Sequence, residues 1–303
     1  MRLLRRHRSP SGPAAARPGD ASIALSGGHP LHEELLQILC CPTCRTDLRR
    51  EGDEHGQLVC AGGHAWPLVA GVPVFSEVGR AVEVRPLDHT SHQPGQSTFD
   101  RMQRATRPWL HLGAGATAAR VPNSIEFETA IFRNTDVVGD VHHLPFKDGQ
   151  LGGVLALNVF EHLADPERAA AELRRCLAPG APVVVQTAFM QPLHADPYHF
   201  YNATEAGIRR WFRDFDIQDV SVPGNFNPVF SLGWQCTELL TATKGDSRVA
   251  SATVQQLADF WSNPAAHKGP LWDAFMRLPD QWQRVLAAGF DLEATRPTEG
   301  ELS

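Results

Sequence analysis

Residues 137–187 read VVGDVHHLPFKDGQLGGVLALNVFEHLADPERAAAELRRCLAPGAPVVVQT. Two pieces of this stretch, GGVLALN (152–158) and APVVVQT (181–187), are consecutive apolar runs of strand length. Such runs mark parallel strands buried on both faces. Between them lies DPERAAAELRRCLAPG (165–180), a helix by its punctuation. Asp165 suits the N-cap, Pro166 the first turn, and Gly180 follows the end behind Pro179. Ala169, Leu173, Cys176 and Leu177 make its inward stripe. Strand, helix and parallel strand in succession predict a doubly wound sheet. Further strands extend it on both sides: WLHL (109–112), SIEFE (124–128), DVVGD (136–140), DIQDVSV (216–222) and GFDLEAT (289–295). A second helix begins near Thr204. In such α/β folds ligands bind at the carboxyl ends of the strands.

Composition narrows the classes. The chain has 303 residues, 42% hydrophobic and 20% charged, an ordinary globular balance. Its net charge of −6 disfavours nucleic acid as a partner bound through overall charge. No apolar run approaches the roughly 20 residues of a membrane span, so no membrane partner is expected. Residues 1–30, rich in Arg, Pro, Gly and Ala, lack a secretory apolar region. They read as a disordered tail, with an organellar presequence as the alternative, and the expected compartment is cytoplasmic.

Four of the 6 cysteines cluster at 40–60. Cys41-x2-Cys44, fifteen intervening residues, then Cys60-x3-His64 supplies three thiolates and one imidazole, a closed set for structural zinc. Pro42 and the pair Gly62-Gly63 let each half curl around one ion. A redox CxxC would open a helix beside a βαβ unit, whereas this one follows the apolar helix HEELLQIL and precedes a polar hairpin. Cys40 reads as a small buried apolar neighbour. The surrounding LLQILCCPTCRTDLRR…LVCAGGHAWPLVAGVPVF resembles the zinc domain of the tRNA-methyltransferase activator proteins, over about residues 31–76. It is also similar to the knuckle that opens some ribosomal-RNA guanine methyltransferases. Either resemblance implies a methyltransferase as neighbour. Residues 77–107 then read as a linker that could hold one short helix.

The first strand of the following domain ends in Gly113-Ala114-Gly115-Ala116-Thr117, without the third glycine of a dinucleotide fingerprint. Glu128 ends the second strand and Asp140 the third. Two strand-end acids beside a glycine turn suit adenosine without a pyrophosphate; turn-capping acids are the plain alternative. The series LHLGAGAT, IEFE and the stretch at 137–187 resembles class I S-adenosylmethionine-dependent methyltransferases of the type 11 group, over roughly residues 108–222. That resemblance implies Gly113 and Gly115 under the methionine part of S-adenosyl-L-methionine and Glu128 on the ribose. It places Asp140 and the Val141 backbone at the adenine, and Asn158 at the sulfonium end. His111 stands where the family usually has an acid, Thr117 replaces its third glycine, and the interval from Gly115 to Glu128 is short. The short interval, with RVPNSIEFE, is similar to a subset tied to glycan or surface-polymer functions.

Candidate bases for an oxygen or nitrogen acceptor are Glu161 and His162 after the fourth strand, and His194, Asp196 and His199 after the fifth. His199, His194 and His162 are carried forward as the catalytic candidates. The loop holding His194 and His199, which resembles that of the glycan-associated subset, is the expected substrate wall. Residues 228–286 are mostly helical. Their apolar residues, Trp234, Leu239, Leu257, Trp261, Leu271, Trp272, Phe275, Trp282, Val285 and Leu286, would form core, cover a cleft or make a homodimer contact, with core favoured. The expectation is α/β: a doubly wound Rossmann-like methyltransferase sheet (108–303) behind a small N-terminal zinc-binding α+β domain (31–76). The expected acceptor is a small molecule or sugar-containing metabolite. An RNA acceptor, aided by Arg45, Arg49 and Arg50, and an inactive cofactor-binding scaffold stay open as alternatives.

Overall fold

The computed structural model describes residues 33–53, 55–76, 82–84, 93–194 and 198–298. The tail expected at 1–30 lies outside the described residues. So do much of 77–92 and the candidate base Asp196. The chain opens with α1 (Glu33–Ile38) and four short strands, β1 (Leu48–Glu51), β2 (Gln57–Cys60), β3 (Ala65–Val69) and β4 (Val72–Phe75). α2 (Gln96–Arg104) follows, then β5 (Trp109–Leu112), β6 (Ser124–Glu128), β7 (Val137–Gly139) and β8 (Gly153–Leu157). Next come α3 (Pro166–Cys176), β9 (Pro182–Ala188), α4 (Glu205–Trp211) and β10 (Asp216–Ser221). Four helices, α5 (Pro228–Ala242), α6 (Ala252–Ser262), α7 (Pro270–Met276) and α8 (Asp280–Leu286), precede the last strand, β11 (Gly289–Thr295).

All the strands join one 11-stranded sheet, ordered β1-β2-β3-β4-β7-β6-β5-β8-β9-β11-β10. From β4 to β9 each neighbouring pair is parallel, and β11 runs antiparallel between β9 and β10. Every residue of β5 and β8 is buried, as in strands covered on both faces. The order of strands reverses at β5, flanked by β6 and β8, so the crevice of a doubly wound fold opens where β5 and β8 end. α3 begins as expected, its N-cap Asp165 accepting from the Arg168 N–H with Pro166 in the first turn.

Three features differ from the sequence reading. The small N-terminal region does not stand apart, because β4 pairs parallel with β7, Val74 opposite Val138 and Phe75 opposite Gly139. The stretch 77–107 contains a docked helix, for Met102 of α2 is fully buried and packs with Trp109 and Val121. The favoured core role of residues 228–286 also gives way, since none of its ten named apolar residues is buried. α5 and α6 pack closely instead, because Gly233 has no side chain: a Cβ there would lie 2.7 Å from the Leu257 carbonyl oxygen. Trp234 and Trp261 stack beside that contact with ring centroids 4.6 Å apart.

Candidate active site and metal centre

The glycine turn after β5 has the backbone that only glycine adopts freely. Gly113 and Gly115 lie at φ 64° and 65°, and a Cβ on Gly113 would meet Val159 Cγ2 at 2.4 Å. The turn is tied to the next strand: the Gly113 N–H donates to the Phe127 carbonyl at 2.9 Å and the Gly115 N–H to Glu128 Oε1 at 2.5 Å. Glu128 therefore stands at the strand end beside the glycines, as the sequence suggested. Asp140 stands one strand further, where it caps a single 3-10 turn containing Val141. Its carboxylate accepts from the His142 N–H at 2.9 Å and from the His142 ring at 2.6 Å, with the His143 ring at 3.4 Å. These contacts, the His142 ring first, hold the Asp140 carboxyl well below the usual range. Asn158, at the end of β8, has φ 56° and a buried side-chain oxygen with no hydrogen-bond partner among the described residues. Glycines, two strand-end acids and an unpartnered amide oxygen are a donor and acceptor set that suits an adenosyl group.

Beneath the turn is a polar network the sequence reading missed. The Thr117 hydroxyl, in place of a third glycine, donates to Glu126 at 2.8 Å, and Asn134 donates to the same hydroxyl at 2.8 Å. Arg120 grips Asp136 through both terminal nitrogens, at 2.7 and 2.8 Å, while Asp136 accepts the Glu126 N–H. Burial pushes Glu126 up to about 7. His111 lies on β5 directly opposite Glu126 in the register; burial alone takes it down to about 4, and its Nδ1 has no partner among the described residues. Burial thus keeps this ring neutral in the middle of the strand. The signal for this network was the alternation in SIEFE, which sends Glu126 and Glu128 to the same face.

The three histidines carried forward as catalytic candidates do converge. Ring centroids of His162 and His194 are 5.4 Å apart, His162 and His199 5.8 Å, and His194 and His199 4.2 Å. Their hydrogen bonds separate them. His162 Nδ1 sits 2.7 Å from the Tyr198 carbonyl and His194 Nδ1 2.9 Å from the Pro192 carbonyl, so each of these nitrogens carries the proton and Nε2 keeps a lone pair. His199 is occupied at both ends: Nδ1 accepts the His194 N–H at 3.2 Å and Nε2 donates to the Tyr201 carbonyl at 2.8 Å. Burial lowers His194 further, with the neighbouring imidazoles adding to it. Beside them Glu161 is fully buried; burial pushes it up to about 7. Around the cluster Leu193, Tyr198, Phe200 and Tyr201 are exposed, an apolar and aromatic rim. An open depression of about 500 Å³, bordered by Met190, Pro192, Asn202 and Glu238, adjoins it.

At the other end of the sheet, Cys41, Cys44, Cys60 and His64 bring one ligand atom each within 4.8 Å of all the others. Cys44 Sγ lies 3.5 Å from Cys60 Sγ, and His64 Nδ1 lies 3.3 and 3.6 Å from the sulfurs of Cys60 and Cys41. Ligands about 2.3 Å from a tetrahedral ion stand roughly 3.8 Å apart, so the four residues fit zinc. The Thr46 hydroxyl brings the Cys44 thiol down to about 6. Cys40 is buried beside the site, as expected.

The sheet order and the strand-end residues define a doubly wound α/β domain with a ligand crevice at the carboxyl ends of its central strands. Residues 111–185 match the family model described as a methyltransferase domain. The chain is 30% identical over 124 residues to an uncharacterized 37.1 kDa protein in transposon TN4556 of Streptomyces fradiae, spanning 36% of this chain and 35% of that one. It is 46% identical over 48 residues to norajmaline N-methyltransferase of Rauvolfia serpentina, 16% of either chain. The chain thus spans about a third or less of the curated relatives it matches. Among solved structures, a putative sarcosine dimethylglycine methyltransferase from Galdieria sulphuraria superposes with TM-score 0.40 at 13% identity, covering 66% of this chain and 82% of that one. No helix among the described residues is long and apolar enough to cross a membrane.

Proposed function

We propose that the protein is an S-adenosylmethionine-dependent methyltransferase acting on a small-molecule or glycan-type acceptor, with structural zinc held by Cys41, Cys44, Cys60 and His64. The observation that carries the reading is the grouping of Gly113, Gly115, Glu128, Asp140 and the unpartnered Asn158 amide oxygen at the ends of four neighbouring parallel strands. When bound, the cofactor supplies an electrophilic methyl group on a sulfonium. The chain's own residues align and enclose it: Glu128 takes the ribose hydroxyls, Asp140 and the Val141 backbone meet the adenine, and Asn158 borders the sulfonium. Positioning of the acceptor in line is the protein's main contribution to rate.

The acceptor wall is the loop after β9. Its exposed aromatic rings suit the apolar face of a sugar or a flat small molecule. His162 and His194, each with one open ring nitrogen, are able to receive an acceptor proton, and His199 serves them by orienting the His194 backbone. Arg45, one of three basic residues considered for RNA, is already paired with Glu172 at 2.9 Å, which weakens that rival. The zinc module resembles the activator domains and would stabilise the catalytic sheet in cis, in a cytoplasmic setting that keeps its thiols reduced. Calorimetric titration with S-adenosylhomocysteine tests the cofactor site. Binding by the wild type that Glu128→Ala and Asp140→Ala both abolish supports it; a folded, zinc-loaded protein that binds nothing overturns it in favour of the scaffold.

A further inference from the structure

The geometry points to a divalent-cation site, separate from the cysteine cluster, in which Glu161, His162 and His194 together hold a first-row transition metal at the carboxyl ends of β8 and β9. One ligand atom from each of the three lies within 4.8 Å of the other two. Ligands sharing an ion with bonds of roughly 2.1 Å stand about 3–3.5 Å apart, a distance that small side-chain rotations reach from here.

Three further observations fit a metal. First, Glu161 is fully buried, yet its Oε1 has no hydrogen-bond partner among the described residues. Its other oxygen accepts from the Thr187 hydroxyl at 2.9 Å, which fixes the carboxylate plane. The backbone N–H groups of Glu161 and Ala188 favour its charged form, but neither reaches Oε1 in hydrogen-bond geometry. A buried carboxylate oxygen left open is costly unless an ion or a proton joins it. Second, both histidines donate Nδ1–H to a backbone carbonyl, the outer contact that orients metal-binding imidazoles and fixes which nitrogen is free. Third, the backbone around the cluster is anchored twice over, since the Glu161 carbonyl accepts the N–H groups of both Phe200 and Tyr201, at 2.7 and 3.1 Å. The loop carrying Tyr198, His199 and the His162 acceptor is thereby sewn to the residue that would bind the ion.

Two imidazoles and one carboxylate on one side of an ion leave positions open for water or substrate. This donor set selects iron, zinc, cobalt or manganese over calcium or magnesium, whose shells are all oxygen. Metal binding here stands without reference to methyl transfer, and an ion held by these ring nitrogens takes the lone pairs of His162 and His194 in place of an acceptor proton. Only its use as a Lewis acid toward the acceptor rests on the methyltransferase reading.

The test is calorimetric titration of Co2+ into full-length protein whose cysteine site is already filled with zinc. One further equivalent should bind, with the weak visible bands of nitrogen and oxygen ligands and no thiolate charge-transfer absorption. Glu161→Gln and His162→Gln should each weaken that binding at least roughly tenfold. Glu161→Gln keeps the side chain's size and its contact with Thr187, and an unshifted thermal melt would show that it folds. No uptake beyond zinc, or uptake that neither variant weakens, would overturn the site and leave Glu161 as a buried protonated acid. S-adenosylhomocysteine titration of the same samples reads the methyltransferase proposal separately, so that either can fail alone.

Discussion

His111 and Glu126 face each other across β5 and β6, and their buried environments move them in opposite directions, His111 down to about 4 and Glu126 up to about 7. The consequence is a cancellation. A carboxyl raised on folding adds stability that is complete below its unfolded value near 4.5 and lost as pH rises toward about 7. A histidine depressed on folding adds stability present above its unfolded value of 6.5 and lost as pH falls toward about 4. Between these limits the folded chain gains one proton on Glu126 and forgoes one on His111, so the pair contributes almost no slope. Each single variant exposes the other's slope, up to about 1.4 kcal/mol per pH unit. Glu126→Gln should become more stable as pH rises from about 4 to 6.5, and His111→Gln less stable as pH rises from 4.5 to about 7. Urea unfolding at pH 5 and 7 reads both signs; parallel lines for the two variants would refute the pairing. The same network explains how a threonine serves where a third glycine was expected. Thr117→Val should cost about 1–3 kcal/mol in unfolding experiments, because it strips the buried Glu126 and Asn134 of their shared partner.

Among the elements, the turn between β5 and β6 is the one where backbone, packing and binding coincide. Gly113→Ala would put a side chain at φ 64° and 2.4 Å from Val159 Cγ2, a position with no room to relax. We expect a loss of about 1–3 kcal/mol in stability together with the loss of S-adenosylhomocysteine binding. A variant that melts normally and binds normally would show the turn to be incidental. The glycines, strand-end acids and four central strands were legible because each rests on local chemistry: apolar runs for buried strands, φ requirements for glycine, period two for side-chain direction. What was not legible depended on contacts distant in sequence. β4 is VPVF, buried at every position, and its apolar run signals burial but not that its partner is β7, some sixty residues on. α2 shows only Phe99 and Met102 at helical spacing, too little to separate a docked helix from a polar linker. The helices from Pro228 to Leu286 misled in the other direction. Their aromatic residues pair with one another across short helices rather than under the sheet, so hydrophobicity there did not mean core. At the site, the sequence named three histidines that the structure brings together. It could not rank them, because the ranking is set by which carbonyl each ring faces.

At the scale of the whole molecule, the cysteine module and the parallel sheet are one structure. β4 extends the parallel sheet, and Leu35, Leu39, Cys41, Leu58 and Trp66 share a continuous core with Phe127, Val137 and Phe146. Polar contacts reinforce the seam: the Lys147 N–H donates to the Ile38 carbonyl, the Cys40 N–H to the Pro145 carbonyl, and Arg45 reaches both Glu172 and the Leu144 carbonyl. β7 ends at Gly139, immediately before Asp140 and Val141, the residues proposed to meet the adenine. The module therefore braces the strand that leads into the two residues proposed for the adenine, and zinc is expected to act on cofactor binding through that strand. A structural zinc contributes on the order of 10 kcal/mol to folding in small domains. Even about 3 kcal/mol transmitted to the sheet would lower its Tm by roughly 10 °C. Chelation, or Cys44→Ser, should thus lower a single cooperative transition and weaken S-adenosylhomocysteine binding in the same samples. Scanning calorimetry decides the point. If the metal-free protein shows two transitions, with the larger one unmoved and cofactor binding intact, the module is an appendage; if the whole transition moves, sheet and zinc site fold as one unit, and the cysteines at the start of the chain help to hold the cofactor at its middle.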